Sequence, residues 1–311
     1  MLLHKRNPHI RTSANSHMKF VFILIAIIFF HLTSVAQQSF VLATYTYSTN
    51  NRLANLTPLA DYLSKETGQK FTAVSFATVQ ELIDAIRDRK VDLAMINTLG
   101  YLSMQKKYKD AAYPLVTLDM GNANSTNYGG CLLAAKSQHI TSVKQLLSTD
   151  KPRRLALVGK SSTSGNLVPR LILNQAGISS ADEHFLLYYA GTHKQVIEDL
   201  LAGKASVGGC GCDEYEKNKE RIKDSIVMLA SFNDIPLGPI VYRKGLSAEL
   251  TKKIATALSA AHDKQPAIFK NFLQGWTEFK NAVKFKPAAD TDYNEFRAMF
   301  GSNESLWKLL E

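Results

Sequence analysis

Twice along the chain, a strand-like segment, a helix-like segment and another strand-like segment follow one another with few residues between them. This alternation restricts the fold more than any other feature. Residues 39–47 alternate and are rich in β-formers. Residues 53–67 place Leu56, Leu59, Ala60 and Leu63 at helical spacing and stop at Gly68. Residues 70–76 read as a second strand, 79–89 as a helix capped by Thr78, and 91–96 as a third, almost wholly apolar strand. Strands joined this closely through helices require right-handed parallel crossovers, and hence an α/β domain. The pattern restarts with an apolar run at 130–135 and a helix at 142–147. Strands at 154–158, 185–189 and 205–209 then alternate with helices at 164–176 and 194–202. A further strand at 226–231 precedes Asn233-Asp234-Ile235-Pro236-Leu237-Gly238-Pro239, a Pro/Gly-rich punctuation before a strand at 240–243. From Ala248 the chain reads as helical. The expected class is α/β with two lobes. Residues 37–129 begin one lobe, 130–234 form the second, and 235–311 return to the first. Two crossings between lobes fit a hinged binder.

The amino-terminal 36 residues are expected to lie outside that fold. They carry Lys5, Arg6, Arg11 and Lys19 and no acidic residue, then the eleven-residue apolar run Phe20 to Phe30, then Ser34-Val35-Ala36. A basic start, a short apolar core and small residues at an A-x-A-like end describe a cleavable export signal. The run is shorter than the ~20 residues a spanning helix needs. Met18 is an alternative start, because the segment from it is itself a compact signal. No cysteine lies near the cleavage point for lipid attachment. A periplasmic location follows.

Charge narrows the partners. The formal net charge is +10, but four of the positive charges precede residue 37, leaving 33 basic against 27 acidic residues. With no basic cluster interleaved with aromatics, nucleic acid is not expected as a partner. Three cysteines, Cys131, Cys210 and Cys212, are too few for a disulfide scaffold and lack the companions of a metal site, so neither metal nor cofactor is expected. Cys210 and Cys212 are poorly spaced to pair with each other, whereas Cys131 is open to either.

The chemistry concentrates at Lys160-Ser161-Ser162-Thr163-Ser164-Gly165-Asn166, between a strand and a helix. Ligands of open parallel sheets bind beyond the carboxyl ends of strands, and a helix start offers unpaired N–H groups to an anion. Ser162, Thr163 and Ser164 add three hydroxyl donors, although serine and threonine are also ordinary caps. Gly159-Lys160-Ser161 matches the end of a P-loop, but Arg154 occupies the position that motif gives to glycine. No serine here has the flanking glycines of a hydrolase elbow, so an enzyme is not expected.

Ser162-Thr163-Ser164-Gly165-Asn166-Leu167-Val168-Pro169 resembles the S-T-S-G-x-L-V-P signature of the periplasmic phosphonate-binding proteins of ABC transporters. Lys90-Val91-Asp92-Leu93-Ala94 resembles that family's K-V-D-I-A strand, and Ala190-Gly191-Thr192-His193 its A-G-x-H. Residues 235–243 resemble its I-P-x-D-P-I-V-x-R return crossing. The resemblance covers about residues 40–280. It implies a type II periplasmic binding protein, with each lobe a mostly parallel sheet flanked by helices and the ligand in the cleft. It further implies a small phosphorus oxyanion as ligand (phosphonate, phosphite or phosphate), a membrane permease as partner, and a monomer. A periplasmic sensor of the same fold is the alternative.

Carried over by position, the resemblance makes Ser162, Thr163 and Ser164 the holders of the oxyanion. His193 becomes a second donor that could also be protonated, and Asp213 stands where the family has a glutamate facing a ligand amino group. Gly238 replaces the family's partner aspartate, and Val79 and Ile96 replace two aromatics. Tyr101 and Tyr47, with Tyr45, are the expected substitutes for those rings. The oxyanion end of the site is thus kept, while the organic end differs.

Overall fold

The computed structural model describes residues 39–47, 50–121, 128–148, 152–276 and 279–311. The export segment expected at 1–36, with Met18, lies outside the described residues. In chain order the strands are β1 (Ser39–Tyr45), β2 (Lys70–Phe76), β3 (Leu93–Met95), β4 (Ala112–Asp119), β5 (Gly130–Ala135), β6 (Arg154–Leu157), β7 (Leu186–Tyr189), β8 (Val207–Gly211), β9 (Ile226–Phe232), β10 (Ile240–Arg243) and β11 (Lys284–Pro287). The helices used below are α1 (Arg52–Thr67), α2 (Val79–Arg87), α3 (Thr98–Lys107), α4 (Val168–Gln175), α5 (His193–Leu201) and α6 (Cys212–Ile222).

The strands make two sheets, ordered β11-β4-β10-β3-β1-β2 and β7-β6-β8-β5-β9. β1 pairs parallel with β2 and β3, and β6 pairs parallel with β7 and β8, as helical crossovers require. β10, late in the chain, inserts antiparallel between β3 and β4, so the last quarter of the chain returns to the first sheet. β5 and β9 flank the second sheet's edge as an antiparallel pair. β1, β3, β6 and β8 therefore point their carboxyl ends into one gap between the sheets, the ligand position of open α/β sheets.

Two of the sequence motifs turn out to be one structural joint. Asp92, buried just before β3, accepts the Val41 N–H at 2.8 Å and the Arg243 Nε–H at 2.7 Å. The pair ties β10 to β3 and β1 where the chain returns. Because Asp92 spends its side chain on this joint, β3 spans only three residues rather than the expected six. Gly238 has an equally local cause. A Cβ there would stand 2.1 Å from the Ile96 carbonyl oxygen and 2.7 Å from Asn97 Cα. The return crossing passes so close to the end of β3 that no side chain fits.

The expected helix at 164–176 is two structures. Residues Thr163–Leu167 form a π-turn, capped by the Ser162 hydroxyl, which accepts the Gly165 N–H at 3.0 Å, and α4 begins only at Val168. The proline explains the wide turn. Pro169 has no N–H to return to the Gly165 carbonyl four residues earlier. That carbonyl instead accepts the Val158 N–H at 2.9 Å, fastening the turn to the end of β6. The helix expected at 142–147 is a 3₁₀ segment, Val143–Leu147.

Cys131 pairs with Cys212, Cα to Cα 5.2 Å, and Cys210 is a buried free thiol. Ladder register sets Cys210 opposite Cys131, but Cys212 comes within bonding reach where β8 turns into α6. Burial pushes the Cys210 thiol well above its usual range, so it stays protonated. The bridge spans 81 residues of sequence and should contribute about 2–4 kcal/mol. Urea denaturation with and without dithiothreitol should show that loss in the parent and equally in Cys210→Ala. Cys212→Ala should be insensitive to the reductant, and a Cys210→Ala variant that loses reductant sensitivity would contradict the pairing.

Candidate functional site

A cavity of about 370 Å³ lies between the sheets at those four strand ends. Its first wall is Tyr45, Thr46, Tyr47 and Arg52 with Asn97, and its second is the 158–164 turn with Thr192, His193 and Asp213. The 162–164 hydroxyls are thus set at the mouth of β6 by the π-turn, while α5 and α6 bring His193 and Asp213 from the ends of β7 and β8.

The turn is held from behind. Asn166, fully buried, donates to the Lys160 carbonyl at 2.8 Å and accepts the Arg170 Nε–H at 2.8 Å. Arg170 in turn grips the Asp182 carboxylate with two N–H groups, and this pairing holds the Asp182 carboxyl below its usual range. The front of the turn meets the first sheet directly. The Leu99 N–H donates to Thr163 Oγ at 3.0 Å, and Asn97 Nδ2 donates to the Ser161 carbonyl at 2.8 Å. Tyr128 donates to Ser164 Oγ at 3.3 Å. A hydroxyl that accepts one bond keeps its own proton to give, so Thr163 and Ser164 remain donors.

His193 opens α5, one residue earlier than expected, because Thr192 is the cap and accepts the Gln195 N–H. Its Nδ1 accepts the Gly211 N–H at 2.8 Å. A backbone N–H only donates, so Nδ1 is bare and the proton sits on Nε2. Burial drives the imidazole down to about 4, outweighing the attraction of Asp213. With Nδ1 accepting and the imidazole pKa lowered, His193 presents Nε2–H as a neutral donor near neutral pH. Its ring lies 6.3 Å from that of Tyr47 across the cleft. Asp213 bonds Lys217 Nζ at 2.9 Å, and Lys217 also approaches Glu214 at 3.8 Å.

Of the seven residues singled out from sequence, Ser162, Thr163, Ser164, His193, Asp213 and Tyr47 line this cavity and Tyr101 does not. Tyr101 lies a full turn into α3, is fully buried, and donates to Asp290 at 2.5 Å. Its ring packs 4.6 Å from Tyr293, and burial raises its hydroxyl pKa. It joins the carboxy-terminal segment to α3 instead of facing the cleft. Val79 and Ile96 are buried core residues.

Sequence reasoning overlooked several lining residues, Arg52 and Asn97 among them. Arg52 is 2% exposed, donates from Nε to the Gly275 carbonyl, and sets its guanidinium 4.6 Å from the Tyr45 ring, 4.9 Å from Tyr47 and 5.0 Å from Trp276. Trp276 stands more than 220 residues away in sequence, so no local signal marks the cluster. Asn97 caps α3, accepting the Gly100 N–H, while its amide reaches the opposite sheet. Asn before a helix was legible as a cap, but its second bond was not. Among the described residues no group of His, Cys, Asp and Glu is arranged for a metal ion.

The family model for the periplasmic substrate-binding protein of phosphonate ABC transporters matches residues 42–293. The phosphonates-binding periplasmic protein of Escherichia coli (strain K12) is 26% identical over 270 residues, covering 84% of this chain and 78% of that protein. Among solved structures, PhnD1 of Prochlorococcus marinus (MIT 9301) in complex with methylphosphonate superposes with a TM-score of 0.67. It has 17% identity, covering 86% of this chain and 99% of that one. The binding-protein component of a Pseudomonas aeruginosa ABC phosphonate transporter gives 0.63 at 17% identity, covering 88% and 89%. Both share the two-sheet, type II periplasmic binding architecture. With the family model spanning both sheets and the cleft between them, the chain belongs to the phosphonate-binding periplasmic proteins of ABC transporters and is a solute-binding component rather than an enzyme.

Proposed function

We propose that the chain captures a small phosphorus oxyanion in this cleft, with Ser162, Thr163 and Ser164 and the Nε2–H of His193 as its donors, and delivers it to a membrane permease. The observation that supports the reading most is the convergence of three hydroxyls and one neutral imidazole N–H at a single strand-end cavity. Neutral donors suit an anion that must later be released. Tyr47 forms the facing wall, and Asp213 borders the oxyanion end. The organic end is built for small groups. Gly238 leaves no acid in the return crossing, so an ammonium gains little there, and methylphosphonate, phosphite or phosphate should bind at least as well as 2-aminoethylphosphonate.

In this reading, residues 1–36 are a removable export signal without a lipid-bearing cysteine. The chain acts as a monomer. The lobes, 37–129 with 235–311 and 130–234, close about the crossings near Gly129 and Pro236. The bonds from Asn97 and Leu99 to the 161–163 turn are the contacts of the closed form. No described helix is long and apolar enough to cross a membrane.

Calorimetry with methylphosphonate, phosphite and phosphate tests the reading, and no heat with any of them would refute it. Thr163→Ala and Ser164→Ala each remove a hydrogen bond to a charged group, worth about 1.5–3 kcal/mol, so affinity should fall tenfold or more while the fold persists. A small-angle scattering comparison should show a smaller radius of gyration once a tight ligand is bound.

His193 also predicts a pH dependence. Its folded value, about 4, lies below the 6.5 of the unfolded chain, so between those limits the unfolded state binds the extra proton. Stability should therefore fall as pH drops from about 6.5 towards 4, and be insensitive to this group above that window. His193→Asn keeps an acceptor for the Gly211 N–H and should flatten the slope in urea titrations. An unchanged slope would show that His193 is not the group responsible.

A further inference from the structure

Gly211 marks a point where three functional groups meet. A Cβ on it would stand 2.7 Å from Asp213 Oδ1, 3.5 Å from His193 Cε1 and 3.5 Å from Ser164 Oγ. No side chain fits there, and its absence lets a hydroxyl, an imidazole and a carboxylate oxygen converge around the end of β8. The remaining oxygen of that carboxylate, Oδ2, is held by Lys217 at 2.9 Å. The Cys131–Cys212 bridge fixes the residue just before it, so Asp213 enters the cleft from an anchored start of α6. An acceptor thus stands among donors at the end of the cleft assigned above to the oxyanion. A fully ionised anion would meet it oxygen against oxygen, whereas an anion with an acidic proton would meet it with a hydrogen bond.

We propose that Asp213 selects for ligands that still carry an acidic proton: Oδ1 accepts a hydrogen bond from the P–OH of a bound phosphorus oxyanion, and the site rejects sulfonates and sulfate, which have no proton to offer. The inference rests on the oxyanion site proposed above and gives Asp213 the role of reading the acid proton in place of a ligand ammonium. Lys217 and Glu214, on the same helix, and Lys194, Arg52 and His193, on the other walls, are the lysine, arginine, glutamate and histidine side chains that line the cavity with it, beside three tyrosines. Lys217 holds Oδ2, and Oδ1 lies beside Gly211. The competing role is that of an acid in the first turn of α6, favourable to the helix start and indifferent to ligand.

Matched ligands separate the two roles. Calorimetry at neutral pH on the full exported chain would use methylphosphonate against methanesulfonate, and phosphate against sulfate. The parent should prefer the phosphorus member of a pair by about a hundredfold or more, the scale of an unmatched polar contact to a charged group. Asp213→Asn keeps the shape but can donate where the carboxylate only accepts. It should weaken methylphosphonate, strengthen methanesulfonate and bring the ratio to within about tenfold. Asp213→Ala should narrow the ratio as well, with thermal melting confirming that both variants fold. A parent that binds both members of a pair equally, or variants that keep the parent's ratio, would overturn the proposal. Should methylphosphonate fail to bind while phosphate outcompetes sulfate and Asp213→Asn erases that preference, proton reading stands and the alkylphosphonate reading falls. If none of the four ligands binds, both are wrong.

Discussion

The bond from the Val158 N–H to the Gly165 carbonyl organises the site. It exists because Pro169 cannot supply the ordinary helical donor, and it holds open a π-turn where a regular helix would tighten. Within that wider turn the 162–164 hydroxyls are brought to the end of β6 rather than wound away on a helix face. The same turn presents Thr163 and the Ser161 carbonyl to the first sheet. One short segment therefore carries both the hydroxyls of the proposed site and the bonds to the first sheet.

Support for that segment is polar and buried. Asn166, Arg170 and Asp182 form a chain from the turn to the surface in which each group satisfies the next. Such a network is favourable only when complete, because removing Asn166 or Asp182 leaves the buried Arg170 guanidinium short of a partner. The first sheet has its own joint in Asp92 and Arg243, which fixes the returning strand β10 and with it the crossing at Gly238. The departure from the family pattern at 238 is thus a packing consequence. The crossing runs against the Ile96 carbonyl, and an aspartate would need the backbone to move.

The electrostatics of the cleft are restrained. His193 is neutral, Asp213 is paired with Lys217, and the Arg52 guanidinium is enclosed by three aromatic rings. Directional donors, rather than net positive charge, distinguish the oxyanion end. In the proposed site, an acceptor placed among them reads the ligand's proton inventory, a property that net charge alone cannot read.

The amino-acid sequence by itself determined the α/β class and nine of the eleven described strands; β4 escaped it, and β11 lies in the carboxy-terminal stretch read as helical. Apolar periodicity and short connections are local signals, and parallel crossovers leave few topologies. It also marked the run of three hydroxyls at 162–164, because that run is contiguous, but read the π-turn that carries it as the start of an ordinary helix. Only the tertiary structure decided which cysteines pair. Cys131 faces Cys210 in the ladder, yet the turn from β8 into α6 brings Cys212 to it. Likewise, Tyr101 and Tyr47 are indistinguishable as residues near strand ends, and the helical position of Tyr101 sends it to Asp290 instead of the cleft. The state of His193 and the enclosure of Arg52 depend on Gly211 and Trp276, partners distant in sequence. Burial and hydrogen bonding between such residues are settled by packing, and no spacing rule along the chain encodes them.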